Sequence, residues 1–407
     1  MGILKQRETF LTMKKILILV AIAAIFTNGF AQTDNASQQQ VNSAQRLLNS
    51  NQGLTIGGYG EVHYNQALDG DTYNNGQLDV HRVVMLFGYN FNEKTQFVTE
   101  LEFEHVKEVY VEQAFIQHKI SNAFQFRGGL MLIPMGIVNE YHEPNTFNGV
   151  ERPLVDKYIA PTTWREIGAG FTGNILPASI RYQAYVVGGF NGYDGSAKFS
   201  GKNGLRKGRQ KGAEAYVSSP NFTGKVEYFG IRGLNVGLSG YFGNSQSTLY
   251  DGIEKSDKEA VAAADSSTIG MSMIGLDARY TYGGLQLRGQ YYYTSLSNTE
   301  QYNEFTGSDL GSSLNGFYLE AGYNLFKHLD NVKTDLIPFI RYEAFDTHNN
   351  VAGNLAKNDA YDKNAITTGL TWKMTQNAVL KADMQFVKSA ADDSYAKTFN
   401  AGFGIMF

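Results

Sequence analysis

The sequence predicts an all-β fold, a transmembrane antiparallel β-barrel of about 16 strands. Three observations predict it. The chain ends in KTFNAGFGIMF, where Phe399, Ala401, Phe403, Ile405 and Phe407 face one way and Thr398, Asn400, Gly402, Gly404 and Met406 the other. A period of two puts the apolar side chains on one face only. The same alternation recurs along nearly the whole chain, and no apolar helical stripe is available to cover the greasy face. A closed barrel, with lipid outside and water inside, satisfies both faces. Finally, short and long connections alternate between the strand-like segments, as the two ends of an outer-membrane barrel require.

The chain opens with an extension, residues 1–12, ahead of Met13, which reads as the true initiator. Met13-Lys14-Lys15 is a short basic start, Ile16 to Phe26 is apolar, and Gly29-Phe30-Ala31 supplies small residues for cleavage after Ala31. Residues 13–31 therefore read as a secretory signal peptide, because the apolar core is too short to span a bilayer. Residues 32–53, rich in Gln, Asn and Ser, read as a polar periplasmic segment with no core to join. The chain has no cysteine, which removes a lipoprotein anchor, disulfides and thiolate metal sites.

The barrel is expected over 54–407. Its strand-like segments are 54–66, 78–91, 95–106, 108–119, 123–132, 165–173, 178–189, 222–230, 233–243, 268–281, 283–296, 313–326, 336–347, 364–375, 377–388 and 397–407. An even number places both barrel ends on the periplasmic side. In 377–388, Leu380, Ala382 and Met384 face lipid, while Lys381, Asp383 and Gln385 face water. In 283–296, Leu285, Leu287, Tyr291 and Tyr293 face out, and Gln286, Arg288, Gln290 and Tyr292 face in. The long stretches 67–77, 134–164, 190–221, 244–267, 297–312 and 348–363 are assigned to the outside, and 92–94, 232, 282–283 and 376–377 to periplasmic turns.

Composition agrees. The formal net charge of −4 is mild and argues against a nucleic-acid partner. The 25 Tyr and 26 Phe suit side chains placed at a lipid–water boundary, and 44 Gly suit a strongly bent sheet.

Three groups of residues could carry function. The segment 133–170 breaks the alternation and contains prolines at 134, 144, 153 and 161. Its charged residues Glu140, His142, Glu143, Glu151, Arg152, Asp156, Lys157, Arg165 and Glu166 are candidates for a pore constriction, if the loop 134–164 folds into the barrel. His142 invites a catalytic or metal reading, but there is no serine elbow and no second histidine at ligand spacing, so neither an enzyme nor a metal or other cofactor is expected. The second group, Lys198, Lys202, Arg206, Lys207, Arg209 and Lys211, sits in a Gly-rich stretch read as a flexible outer loop. It could gather anions at a pore mouth, or bind acidic groups of neighbouring lipids. The third group is the lumen wall: Arg127, Arg181, Arg279, Arg288, Arg341 and Lys381, facing acids such as Glu100, Glu102, Glu104, Asp277, Glu320, Glu343 and Asp383. These charges could set a transverse field, or could pair and tie strands together.

Gly128-Gly129, Ile133-Pro134-Met135-Gly136, Asn139-Glu140-Tyr141-His142-Glu143-Pro144, Glu151-Arg152-Pro153, Pro161-Thr-Thr-Trp164 and Glu166-Ile-Gly-Ala-Gly170 together carry a resemblance: the chain resembles the phosphate-selective porin O/P family, particularly members from Bacteroidetes. It continues through Arg209-Gln210-Lys211-Gly212, Gly233 to Leu238 and the terminal Phe407. It implies a porin-like, homotrimeric barrel in a Gram-negative outer membrane, with an infolded loop and passive diffusion of anions. The partners it implies are outer-membrane lipid, including lipopolysaccharide, and small hydrophilic solutes. The segment 133–170 departs from the family's lysine cluster and arginine ladder, because its acids outnumber its bases. The expected function is passive transport of small hydrophilic solutes, including anions such as phosphate. The alternative is a non-conducting structural or assembly barrel whose loops dock partners of an outer-membrane complex.

Overall fold

A computed structural model describes residues 42–50, 53–68 and 70–407. The extension 1–12 and the expected signal peptide 13–31 lie outside the described residues. Sixteen antiparallel strands close into one barrel. In chain order they are β1 (Leu54–Leu68), β2 (Gln77–Asn90), β3 (Thr95–Glu104), β4 (Glu108–Lys119), β5 (Gln125–Leu132), β6 (Arg165–Ile175), β7 (Ile180–Val187) and β8 (Asn221–Ile231). There follow β9 (Leu234–Asn244), β10 (Gly270–Tyr282), β11 (Leu285–Ser297), β12 (Ser313–Tyr323), β13 (Asp335–Asn350), β14 (Asp362–Thr375), β15 (Ala378–Ser389) and β16 (Ala396–Met406). Each pairs with its sequence neighbour, and β1 closes the ring on β16, with Tyr59 opposite Met406 and Leu68 opposite Lys397.

The period of two is realised as expected. On β11, Leu285, Leu287, Tyr291 and Tyr293 are exposed, while Gln290, Tyr292 and Thr294 are buried. On β15, Leu380 is exposed, while Lys381 and Asp383 are buried. The exposed face is the lipid face, because only there can a row of leucines and tyrosines lie without a second layer. Tyr89, Tyr282, Tyr323 and Trp372 stand exposed where strands approach the short turns, an aromatic girdle at one interface. Both described chain ends lie on that same side, so it is the periplasmic side. The opposite rim carries the long connections 133–164, 188–220, 245–269 and 298–312.

Two departures from the sequence reading appear. Residues 43–48 join the core: helix α1 (Ser43–Leu48) is capped by a box in which Asn42 and Gln45 exchange side-chain to backbone bonds. Its Ala44 and Leu47 are buried among barrel residues, and Gln96 on β3 donates to Leu48 O at 2.8 Å. A polar composition concealed two well-placed apolar side chains. The loop 190–221 is pinned: Phe190, Phe199 and Leu205 are buried. Tyr302, on a helix (Thr299–Thr306) of the outer connection 298–312, bonds to Gly192 O at 2.7 Å and receives the Lys198 N–H at 3.2 Å.

Candidate functional site

The segment between β5 and β6 leaves and re-enters the wall at one point. Ile133 N donates to Trp164 O at 2.9 Å. The Asn139 amide donates to both Ile133 O and Trp164 O at 2.8 Å, and its oxygen receives Trp164 N–H at 2.9 Å. One side chain thus ties the neck of a loop of about thirty residues. Trp164 is buried against Phe190 and Tyr241 at 4.6 Å between ring centres, which fixes the exit. From that neck the chain runs inside the barrel, and 131–144 is buried without interruption. The alternation fails here because this stretch meets barrel interior on all sides.

Wall side chains hold the segment along its length. Arg82 on β2 donates to His142 O at 2.5 Å. Lys225 on β8 donates to Gly136 O at 2.6 Å, a carbonyl aimed by the left-handed backbone of Gly136 at φ 67°. Arg288 reaches Thr146 O at 2.9 Å, Lys373 reaches Asn145 O at 2.9 Å, and Arg341 reaches Glu151 O at 3.0 Å. The wall acids receive backbone N–H groups: Val150 N to Asp383 at 2.7 Å and Val155 N to Glu343 at 3.2 Å.

The expected constriction residues scatter over different walls. Glu140 takes Lys225 Nζ at 3.1 Å and Gln183 at 2.6 Å. Glu143 turns to the periplasmic side and receives Ser43 N–H at 2.7 Å. His142 meets neither flanking acid and lies instead against Glu100 and Glu112. Burial opposes a charged His142, but Glu112 and Glu100 outweigh it and push the imidazole up to about 10. Asp156, in helix α2 (Val155–Tyr158), takes bonds from Gln290 at 2.5 Å and Tyr292 at 3.1 Å. Burial, reinforced by Glu343, pushes Asp156 up to about 7 against those bonds. Glu151 faces Asn65 and His63, while Glu166 receives Trp164 Nε1–H at 2.8 Å and Gly189 N–H at 2.6 Å.

The wall charges are paired rather than opposed across a pore. Arg181 and Arg279 share Glu227, the second at 2.8 Å. Arg341 bridges Glu320 at 3.3 Å and Glu343 at 3.1 Å, and Arg288 approaches Glu320 at 3.4 Å. Arg127 bonds to Gln117 at 2.6 Å, and Lys381 lies 3.7 Å from the centre of the Phe147 ring. Four members of this network, Arg82, Glu112, Lys225 and Glu227, were not singled out by sequence. Strict alternation along 222–230 would have found Lys225 and Glu227. Register shifts between β1 and β2, and between β3 and β4, hid Arg82 and Glu112.

The basic loop divides. Lys198 is neutralised by Asp194 at 2.5 Å, and Lys202 and Lys207 are exposed. Arg206, Arg209 and Lys211 turn back toward the root of the inserted segment. Arg209 donates to Thr162 O and, at 2.7 Å, to Thr163 Oγ1, and Lys211 lies 4.4 Å from the Tyr110 ring centre. Arg165 shares that ring at 5.5 Å. Burial, then Arg206 and Arg165, push Arg209 down to about 9. Burial and Arg152 lower Arg206, and burial with Arg209 and Arg165 lowers Lys211. Among the described residues, Arg165 Nε and Arg206 Nη1 are buried without a hydrogen-bond partner. Lys157 and Lys363 flank Tyr158 at 5.5 and 5.6 Å, and Lys157 is exposed. The outer side of the inserted segment is therefore a basic vestibule, with Glu104 and Glu112 the acids that offset it.

A sixteen-stranded barrel with an inserted loop defines the class as a porin-type outer-membrane barrel. Residues 57–401 match the family model described as phosphate-selective porin O and P, and the chain belongs to that family. An uncharacterized protein of Aquifex aeolicus is 32% identical over 358 residues, covering 84% of this chain and 77% of that one. Among solved structures, OmpF of Salmonella typhi in complex with daunomycin aligns with TM-score 0.55 at 15% identity, over 87% of this chain and 97% of that one. An anion-selective porin from Comamonas acidovorans aligns with TM-score 0.53 at 14% identity, over 87% and 99%. At such identities the likeness shows the fold alone.

Proposed function

We propose that this chain is an outer-membrane porin for passive diffusion of small hydrophilic solutes, with anions such as phosphate favoured at its outer mouth. The observation that carries the reading is the vestibule cluster Arg152, Arg165, Arg206, Arg209 and Lys211. Burial first, and then the neighbouring cations, lower the affinity of three members for their protons, and two of their buried N–H groups lack an acceptor among the described residues. An oxyanion would relieve both conditions. Exposed Lys157, Lys202 and Lys207 extend the positive field outward. The family and the sequence motifs support a homotrimer embedded in lipid and lipopolysaccharide, and the motifs support a Bacteroidetes source.

A second reading, a non-conducting assembly barrel, is favoured by one observation. Segment 133–164 covers most of the inward wall charges, leaving Arg82, Glu112, Arg341 and Glu343 with no exposed surface. The test is insertion into planar bilayers under a tenfold KCl gradient. The porin reading expects a conductance with a zero-current potential of the sign set by chloride. A silent bilayer favours the assembly reading, and a cation-selective potential overturns the vestibule's role.

A further inference from the structure

The inner wall carries a cluster that solute passage does not explain. On β3, Glu100, Glu102 and Glu104 point inward in succession. On β4, the ladder partners are Glu100 with Gln113 and Leu101 with Val111, so Glu112 is an extra residue bulged out of register. The bulge turns both Glu112 and Gln113 inward, where alternation would have sent one of them to lipid. Glu112 thereby meets His142, carried in on the inserted segment. Glu100, Glu112 and His142 are all buried, and one donor atom from each lies within 4.8 Å of the other two.

We propose that Glu100, Glu112 and His142 hold a divalent first-row cation that clamps the inserted segment to the β3–β4 wall. His142 Nε2 is 3.7 Å from Glu100 Oε1 and 3.5 Å from Glu112 Oε2. These distances are long for hydrogen bonds. They suit two donors that share one metal at about 2.0–2.2 Å, which stand roughly 3–3.6 Å apart. The supporting groups are in place. His142 Nδ1 lies 3.1 Å from Asn139 O and keeps its proton there, so Nε2 is the nitrogen that would exchange its proton for a metal. The Glu100 Oε2 receives the Gln113 amide at 2.6 Å, which leaves Oε1 facing His142. The Tyr59 hydroxyl, 3.0 Å from Nε2 and 2.8 Å from Glu100 Oε1, stands at a fourth position.

The four buried carboxylates Glu61, Glu100, Glu102 and Glu112 meet Arg82, His142 and, at Glu61, His63, while Arg152 and Arg165 add to the positive field on Glu102 and Glu112. No oxygen of Glu102 or Glu112 accepts a hydrogen bond among the described residues, and the two side chains are 1% and 0% exposed. Buried carboxylates left so are costly unless a positive charge lies among them. One imidazole with carboxylates suits zinc or manganese rather than calcium or magnesium, which prefer oxygen alone. Partly exposed Glu104, next on the same face of β3, leads from the vestibule toward the cluster. The cation competes with the proton that these same acids favour on His142. The proposal is independent of whether the barrel conducts.

The test uses the purified full-length barrel in detergent, stripped with a chelator and equilibrated with Zn²⁺. Elemental analysis and titration calorimetry should show one tightly held zinc per chain, and zinc should raise the thermal midpoint of the barrel. Glu112→Gln should weaken binding by about 100-fold or more, above the range seen when only supporting groups are changed. Asp79→Asn, in the more exposed rim group with His81 and His105, should leave that zinc in place. Heat-modifiable migration on gels reports folding of each variant, and the wild-type zinc count and thermal shift decide the matter should Glu112→Gln not fold. Absence of retained zinc would mean a proton-bridged cluster and overturns the proposal. Zinc lost in Asp79→Asn and kept in Glu112→Gln overturns it as well.

Discussion

Arg82, with none of its side chain exposed, donates at 2.6 Å to Glu61 on the neighbouring strand and at 2.5 Å to the main-chain carbonyl of His142. One guanidinium thus belongs to the wall and to the inserted segment at once. Arg341 does the same across the barrel, joining Glu320 and Glu343 to the carbonyls of Asn148 and Glu151. The segment is thus docked both by main-chain carbonyls that wall cations hold and by its own side chains, such as Glu140 on Lys225 and Asp156 on Gln290.

Replacing Arg82 with methionine should therefore damage both the wall and the docked segment. It leaves Glu102 buried without its cation and Glu61 with His63 alone, a loss of about 3–5 kcal/mol for a broken buried pair. Chemical unfolding of the detergent-solubilised barrel measures it. A change near zero would mean that water, not Arg82, compensates those acids.

The lipid-facing register has a sharper test. Leu287 is exposed on the outer face of β11, and Gln286 beside it points inward. Leu287→Arg should cost about 2–4 kcal/mol if near the midplane, and Gln286→Arg much less. Equal losses would break the register.

Asp156 supplies a pH dependence. Its folded-state affinity for a proton is raised, to about 7, so the folded protein holds a proton that the unfolded chain releases. Stability from this site is full below about pH 4 and is lost as pH rises through about 7. Docking of helix α2 should loosen across that window, seen as a falling thermal midpoint or rising conductance. Asp156→Asn should flatten the profile between pH 5 and 8, and an unchanged profile would mean that other groups set it.

Orientation can be read with single cysteines, since the chain has none of its own. Lys207→Cys, exposed on an outer loop, should react with a membrane-impermeant maleimide on intact cells. Arg232→Cys, in the turn between β8 and β9, should react only after the outer membrane is breached. The opposite pattern would invert the barrel.

Much of the fold was legible because a barrel strand obeys one rule along its length. Leu287 and Lys381 declare their faces from parity alone, and all sixteen expected segments have their counterparts in the barrel. Parity fails where a bulge inserts a residue, which is why Glu112 was missed and His142 was weighed only against Glu140 and Glu143. The sequence marked 133–170 as exceptional, but not which wall each residue would meet. Those partners come from strands that no local spacing connects. The basic stretch 198–211 looked flexible from its glycines, because the anchoring of Phe199 by Tyr302 depends on a distant loop.

The most direct test of the account is the single-channel conductance of a barrel lacking residues 140–157, compared with the intact chain at about 0.1 M and 1 M salt. Charge gathered at the vestibule is screened over about 3 Å at the higher salt, whereas a physical obstruction is not. If the segment is the constriction, its removal raises conductance at both concentrations. An unchanged conductance, with a barrel that still folds, would contradict the account and leave the segment a structural strut.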